Sequence, residues 1–156
     1  MPNHIDGRLD GILVVRSRGD IDVPETVPVL RVLKGIFSPG PGFVLWIHEA
    51  GIRFAGSKEE WLHLRLGFAA ALEERGEGAI ALICPEPVAY GIGRQLQSFV
   101  CRARVKIEVF RETAEAEDWI RDCRDETDTL AMIGGESLSW CLPDSGEPSR
   151  SQQWNA

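Results

Sequence analysis

Long apolar stretches and closely spaced cysteines are both missing from this sequence of 156 residues. No run approaches the roughly 18 apolar residues that a membrane-spanning helix needs, so we expect no insertion into a membrane. The start of the chain has neither a basic nor an apolar segment of the kind that directs secretion, which predicts a cytoplasmic protein. The four cysteines form no Cys-x-x-Cys pair and no metal-finger spacing, and we expect reduced thiols and no metal.

The charge of the chain is also one-sided. The formal net charge is −7 and the isoelectric point is about 5.0, so a nucleic-acid partner is not expected, because phosphates would be repelled. The hydrophobic fraction of 44% is typical of a globular protein with a real core. The length suits one domain and is short for two.

Short apolar runs alternate with stripes of apolar residues at helical spacing over the first 122 residues. The apolar runs predict strands at residues 5–8, 12–18, 43–47, 79–84 and 105–110. The stripes predict helices at residues 24–36, 57–74, 88–101 and 113–122. Each later strand is followed by a helix, and right-handed crossovers then place the helices against the sheet. We therefore expect an α/β domain with a mixed, mainly parallel sheet of about five strands and about four helices.

The composition changes towards the C-terminus. We expect residues 1–122 to form the domain and residues 123–156 to form an acidic, partly disordered tail, with the disorder concentrated in residues 143–156. The tail contains apolar islands at residues 130–133 and 138–142. They could dock on the domain or on another chain, and a homodimer held by the tail or by an edge strand is one interpretation.

Several short motifs follow one another along the chain in a defined order. They are the turn Asp10-Gly11 before an apolar strand, Gly19-Asp20-Ile21-Asp22 leading into the first helix, Val44-Leu45-Trp46-Ile47 followed by Gly51, Phe54 and Ser57, the segment 80–90, and Val109-Phe110 with Glu115, Ala116 and Trp119. This order resembles that of STAS domains, the group that includes the bacterial anti-sigma-factor antagonists. The resemblance implies a STAS-like fold. It also implies a non-enzymatic interaction or regulatory module whose partner is an anti-sigma kinase, another STAS-like chain or a signalling assembly.

The resemblance also implies a modification site at Ser57. Antagonists of the family carry an aspartate and a phosphorylatable serine at the start of the second helix. Ser57 matches that serine, but the aspartate is missing and Lys58 stands where small residues are usual. A phosphate at a helix N-terminus would be favoured by the helix dipole. Alternatively, Ser57 only caps the helix in a capping box with Glu60.

Polar residues follow two of the buried strands. His48 and Glu49 come after one strand, and Cys84 ends another. Because ligands of α/β folds bind at the carboxyl ends of parallel strands, these three residues are candidates for ligand binding. With His63 they could also supply a metal site or a Cys-His nucleophile, but no metal-ligand spacing occurs, and we assign no catalytic residue, no metal and no cofactor.

A second candidate ligand segment is Tyr90-Gly91-Ile92-Gly93-Arg94. Its glycines would let a ligand phosphate approach the backbone, with Arg94 as the counter-charge. It is neither a complete dinucleotide fingerprint nor a P-loop, and close packing of the helix on the sheet explains the glycines equally well. An apolar pocket lined by Tyr90 and Arg94 would favour the alternative function, a small-molecule or lipid-binding pocket protein, possibly an enzyme.

Overall fold

The computed structural model describes residues 2–133, which form a five-stranded mixed sheet, a two-stranded sheet and four helices. The strands are β1 (Asn3–Leu9), β2 (Ile12–Ser17), β3 (Asp20–Ile21), β4 (Gly42–His48), β5 (Arg53–Phe54), β6 (Glu77–Ile83) and β7 (Arg104–Phe110). The helices are α1 (Val23–Ile36), α2 (Lys58–Arg75), α3 (Pro87–Phe99) and α4 (Thr113–Ile133). The large sheet has the order β1-β2-β4-β6-β7, in which only β1 is antiparallel to its neighbour. The predicted α/β class with a mainly parallel sheet is confirmed.

The two faces of the large sheet are covered unequally. Alternate residues of the strands, such as Val44 and Ile80, point to one face, where they pack against α1, α2 and α3. The residues between them, such as Leu45 and Ala81, point to the other face, where α4 packs mainly against β6 and β4. The larger hydrophobic core therefore lies under the three helices, and the candidate site lies in that layer.

A close approach of two backbones fixes the pairing of β4 with β6. Gly78 has a φ of +135° and is paired with Gly42, and a Cβ at Gly78 would lie only 1.8 Å from the Gly42 carbonyl oxygen. Only glycine fits this contact. The resulting register pairs Ile47 with Ile83, so the residues that follow each strand become neighbours.

Two segments that the sequence indicates as turns and loops form the small sheet. Asp20–Ile21 and Arg53–Phe54 pair in parallel, and the Arg53 N–H donates to the Gly19 carbonyl at 2.9 Å. A strand of two residues cannot show an alternating pattern, which is why the sequence does not reveal it. This pair brings Ile21 and Phe54 to the wall of the apolar cavity described below.

The helix starts follow the sequence closely. The predicted capping box of α2 is confirmed, because the Ser57 Oγ accepts from the Glu60 N–H and the Glu60 carboxylate accepts from the Ser57 N–H, both at 3.1 Å. In α1, Asp22 caps the first turn. Pro28 lies inside α1, beyond its first turn. It lies on the exposed side of the helix, so its ring does not disturb the core.

The last described helix is longer than expected. α4 continues to Ile133, past the predicted end at residue 122, so the predicted boundary between domain and tail falls inside it. Cys123 is buried against the sheet, while Asp125 and Glu126 lie exposed on the outer side of the helix. An acidic composition here reflects an amphipathic helix and not a tail. The predictions for residues 138–142 and 143–156 lie outside the described residues.

Candidate ligand-binding cavity

An apolar cavity of about 80 Å³ lies between the large sheet and the helices α1, α2 and α3, at the carboxyl ends of β4 and β6. Its walls are almost entirely hydrocarbon and aromatic. The side chains and backbone that line it belong to Ile21, Thr26, Leu30, Trp46, His48, Phe54, Trp61, Leu64, Arg65, Phe68, Leu82, Cys84, Ala89, Ile92, Gly93 and Leu96. The carboxyl ends of parallel strands are the usual place for a ligand in an α/β fold.

Aromatic rings form one continuous wall of the cavity. The ring of His48 stacks on Trp46 with 5.5 Å between their centroids and lies 6.3 Å from Phe54. Phe54 in turn meets Trp61 edge-on at 5.2 Å. The Trp61 indole N–H donates to the Ala55 carbonyl at 2.8 Å, which ties α2 to the end of β5. The aromatic wall is therefore held in place by three separate elements.

His48 and Cys84 lie side by side in this wall. The His48 Nδ1 is 3.6 Å from the Cys84 Sγ. Burial lowers the pKa of His48 to about 4, and a hydrogen bond with the Ile83 backbone offsets this shift only in part. Burial also raises the pKa of Cys84 to about 12. Near pH 7 the pair is therefore a neutral imidazole and a neutral thiol.

A buried polar chain supports the cavity from behind. The Trp46 indole N–H donates to the Ser17 Oγ at 2.8 Å, and the Ser17 hydroxyl donates to the Asn3 Oδ1. The Asn3 amide N–H then donates to the Thr26 Oγ1 at 3.2 Å. Asn3, Ser17 and Thr26 are all buried, so each link satisfies a polar group that has left water. The chain joins β1, β2, β4 and α1 and fixes the orientation of Trp46.

Arg65 contributes the one formal charge among the described residues that line the cavity. It extends from α2 towards α3, where its Nη2 donates to the Gln95 Oε1. Its Nε is buried and has no hydrogen-bond partner among residues 2–133. Burial lowers the pKa of Arg65, although a guanidinium remains charged throughout the physiological range. A cationic donor thus stands at an otherwise apolar site.

The predicted ligand residues are placed in different parts of the fold. His48 and Cys84 are brought together in the cavity wall. Glu49 lies instead in a separate cavity, which Arg16 and Arg18 also line. A role for Glu49 in ligand binding stays a prediction.

The second candidate segment turns mostly away from the cavity. Gly93 packs against Val109, and a Cβ at Gly93 would lie 3.1 Å from the nearest Val109 methyl carbon. This contact sets the rotation of α3, so that Tyr90, Gly91 and Arg94 lie outside the cavity lining. The Tyr90 ring is instead covered by the guanidinium of Arg111 at 4.6 Å. The predicted packing role of the glycines is confirmed at Gly93 and wrong at Gly91, which is exposed and where an added Cβ would meet no atom within 4 Å. Ligand binding by Tyr90, Gly91 and Arg94 stays a prediction.

Three residues of the cavity lining are not among the site residues predicted from the sequence, namely Arg65, Phe54 and Trp61. A usable signal existed for Arg65, because it occupies the apolar stripe of α2 between Trp61 and Phe68, at a spacing that points it inward. A charged residue inside an apolar stripe is worth selecting as a candidate. Phe54 carried no such signal, since its position depends on the two-residue strand β5.

Ser57 lies outside the cavity lining, exposed at the N-terminus of α2. Its hydroxyl serves as the helix cap, and whether it is also phosphorylated stays a prediction. Among residues 2–133, no three His, Cys, Asp or Glu side chains are grouped as metal ligands. Within the same range, no helix has the length and hydrophobicity required to cross a bilayer.

Comparison of the chain with protein-family models, with curated proteins and with solved structures finds no match. The resemblance to STAS domains therefore stays a hypothesis that rests on the short motifs and the order of elements. The function has to be argued from the geometry of the site.

Proposed function

We propose that this protein is a non-enzymatic binding module that holds a small, mainly apolar molecule in the apolar cavity. The observation that carries the proposal is the position and lining of the cavity, which lies at the carboxyl ends of β4 and β6 and has almost wholly apolar walls. Apolar surface that is enclosed in this way gains free energy when an apolar ligand covers it.

The volume limits the size of the ligand. An apolar cavity of about 150 Å³ is sufficient to bind benzene. The cavity here, at about 80 Å³, is about half as large. It therefore suits a hydrocarbon group of three or four carbon atoms, with any polar end directed towards the opening.

The protonation states of the cavity wall favour binding over chemistry. A nucleophilic cysteine needs its thiolate form, which a neighbouring imidazolium would stabilise. His48 and Cys84 have the opposite pKa shifts, because burial disfavours the charged form of each. The pair behaves as part of a neutral wall and offers no activated nucleophile near pH 7.

The five tryptophans provide a direct test. The indole N–H resonances of Trp46 and Trp61 report on the cavity, and that of Trp119, which packs near Phe110 on the opposite face, is an internal control. We expect xenon or 1-butanol to shift the first two resonances and to leave the third unchanged. The measurement is a two-dimensional ¹H–¹⁵N spectrum of the full-length chain, with each indole assigned by a Trp→Phe variant.

A variant in which the cavity is filled, compared with a matched surface variant, tests whether the probe binds inside the cavity. Ala89→Leu adds a larger side chain inside the cavity and should abolish the probe-induced shifts of Trp46 and Trp61. Ala70→Leu adds the same atoms on the exposed side of α2 and should leave those shifts intact. Equal shifts for all three assigned indoles, or none in the wild-type protein, would count against the proposal.

A second candidate function is that of a regulatory protein-interaction module, because α2 carries two neighbouring apolar residues that are exposed. Leu62 and Leu66 lie one helical turn apart with 38% and 47% of their surface exposed, on the helix that begins after Ser57. Exposed apolar pairs of this kind are favourable contacts for a protein partner. In this second function, the exposed surface of α2 would bind another STAS-like chain or an anti-sigma kinase, which are partners that the sequence resemblance implies.

Native mass spectrometry of the protein purified from its own host tests that candidate. A dimer or defined complex that is lost in a Leu62→Glu, Leu66→Glu double variant would support docking on α2. Val88→Glu is the control, since it places the same charge at an exposed apolar residue of α3. A monomer in the wild-type protein, or equal loss in the control, would contradict docking on α2.

A further inference from the structure

We infer that the ligand of the apolar cavity is a small monocarboxylate, and that Arg65 binds its carboxylate while the hydrocarbon part fills the cavity. The inference rests on the proposed function and names the chemical class of the ligand. It is carried by one arginine, Arg65, that lines the cavity and whose Nε is buried.

Arg65 has a donor that the protein leaves unused. Its Nη2 is bound to Gln95, but its Nε is buried and has no hydrogen-bond partner in the part of the chain that the structure describes. A buried N–H without an acceptor is costly, and the cost is greater when the group is charged. An oxygen atom of a ligand in the cavity would supply the missing acceptor, because Arg65 is itself part of the lining.

The balance of charge selects the acceptor. Within residues 2–133, Arg65 is the one formally charged side chain of the lining, and His48 is neutral near pH 7. A single cation is matched by a single anion, which favours a carboxylate over a phosphate carrying nearly two charges. The planar fork of a guanidinium also fits the two oxygens of a carboxylate.

The rest of the lining selects the other end of the ligand. Phe68 and Leu96 are apolar neighbours in the wall, and Trp46 closes the sheet side with its indole N–H already bound to Ser17. Apart from Arg65, a ligand would meet mainly hydrocarbon and aromatic rings, together with the side chains of Thr26 and Cys84. A chain of three or four carbons matches the volume of about 80 Å³, so butyrate is a suitable probe.

The experiment compares butyrate with 1-butanol, which has the same number of carbon atoms and no charge. Both are titrated into the full-length protein at pH 7, and the indole N–H shifts of Trp46 and Trp61 are followed with Trp119 as the control. The titrations extend into the millimolar range, because ligands of about six heavy atoms bind weakly. Arg65→Leu removes the donor, Arg65→Lys keeps a charge without the planar fork, and Arg75→Leu removes a cation elsewhere on α2.

We expect butyrate to bind the wild-type protein about 10-fold more tightly than 1-butanol, because a charge-assisted hydrogen bond is stronger than a neutral one. Arg65→Leu should remove this preference, Arg65→Lys should keep part of it, and Arg75→Leu should keep it all. If both probes bind equally to the wild-type protein, the carboxylate assignment is overturned while the cavity remains a binding site. If neither probe moves Trp46 or Trp61, the proposed function fails as well. The comparison on the wild-type protein decides the question even if an Arg65 variant does not fold.

Discussion

The imidazole Nδ1 of His48 lies 3.6 Å from the Sγ of Cys84, across the parallel strands β4 and β6. The two residues come directly together because Ile47 and Ile83, which precede them, are paired in the sheet. Both are titratable, both are buried, and burial keeps both neutral near pH 7. This relationship makes the wall of the cavity sensitive to acid and resistant to thiol reagents, and each consequence can be measured.

The first prediction concerns acid stability. Unfolded His48 takes up a proton below about pH 6.5, whereas folded His48 does so only below about pH 4, so protons favour the unfolded state between these values. The free energy of unfolding should therefore be fully retained above pH 6.5 and should fall as the pH drops. We expect His48 to account for a loss of about 3 kcal/mol between pH 7 and pH 4. Urea unfolding at several pH values measures it.

Two variants isolate this contribution. His48→Gln keeps a polar side chain that does not titrate, and its unfolding free energy should depend less on pH over the same range. His63→Gln changes an exposed histidine of α2 and should keep the wild-type dependence on pH. A wild-type dependence in His48→Gln would show that the histidine is not the acid-sensitive group.

The second prediction concerns thiol reactivity. With a pKa of about 12, the Cys84 thiol is ionised in only about one molecule in ten thousand at pH 8, and it is also buried. Cys101 is exposed. Iodoacetamide at pH 8 should therefore modify Cys101 first and Cys84 at the slow rate of local opening, as measured by peptide mass spectrometry over time. Modification of Cys84 as fast as that of Cys101 would instead indicate an activated thiol and favour an enzymatic function.

The elements with a clear period were predictable from the sequence. Residues 43–47 and 79–84 are continuous apolar runs, which predict buried strands. The start of α2 is indicated by both Ser57 and Glu60. The neighbouring positions of His48 and Cys84 could be expected in general terms, since side chains after parallel strands share one edge of the sheet.

The remaining features depend on contacts between distant parts of the chain. Tyr90 and Arg94 lie outside the cavity because the contact of Gly93 with Val109 sets the rotation of α3, and a single sequence does not specify that rotation. Phe54 reaches the cavity through a two-residue strand that has no period of its own. The length of α4 is not evident from the sequence, because an acidic segment of this kind also predicts a tail.

The third prediction concerns the buried polar chain behind Trp46. Ser17→Ala removes the acceptor of the Trp46 indole N–H and the donor to Asn3, which leaves two buried polar groups unpaired. We expect a loss of about 1–3 kcal/mol in the free energy of unfolding. Ser98→Ala, at an exposed residue of α3, should change it by less than about 0.5 kcal/mol. Equal losses of unfolding free energy in the two variants would mean that the buried polar chain does not stabilise the fold.

The fourth prediction separates the capping role of Ser57 from a regulatory one. Ser57→Ala removes the acceptor for the Glu60 N–H and should lower the free energy of unfolding by about 1 kcal/mol, measured by urea unfolding. Ser57→Asp keeps an acceptor and adds a negative charge at the positive end of α2, so it should retain most of the stability. A loss in Ser57→Asp as large as that in Ser57→Ala would show that the position does not accommodate a negative charge.

A further variant, Ser57→Asn, tests whether Ser57 has a regulatory role. If a partner recognises phosphorylated Ser57, a complex seen by native mass spectrometry should respond differently to Ser57→Asp and to Ser57→Asn, although both side chains can cap the helix. If the complex follows only the unfolding free energy of each variant, Ser57 acts through the fold alone. Helix capping and phosphate recognition therefore predict different results for these two variants. A cap needs only an oxygen acceptor, whereas recognition of a phosphate needs the negative charge.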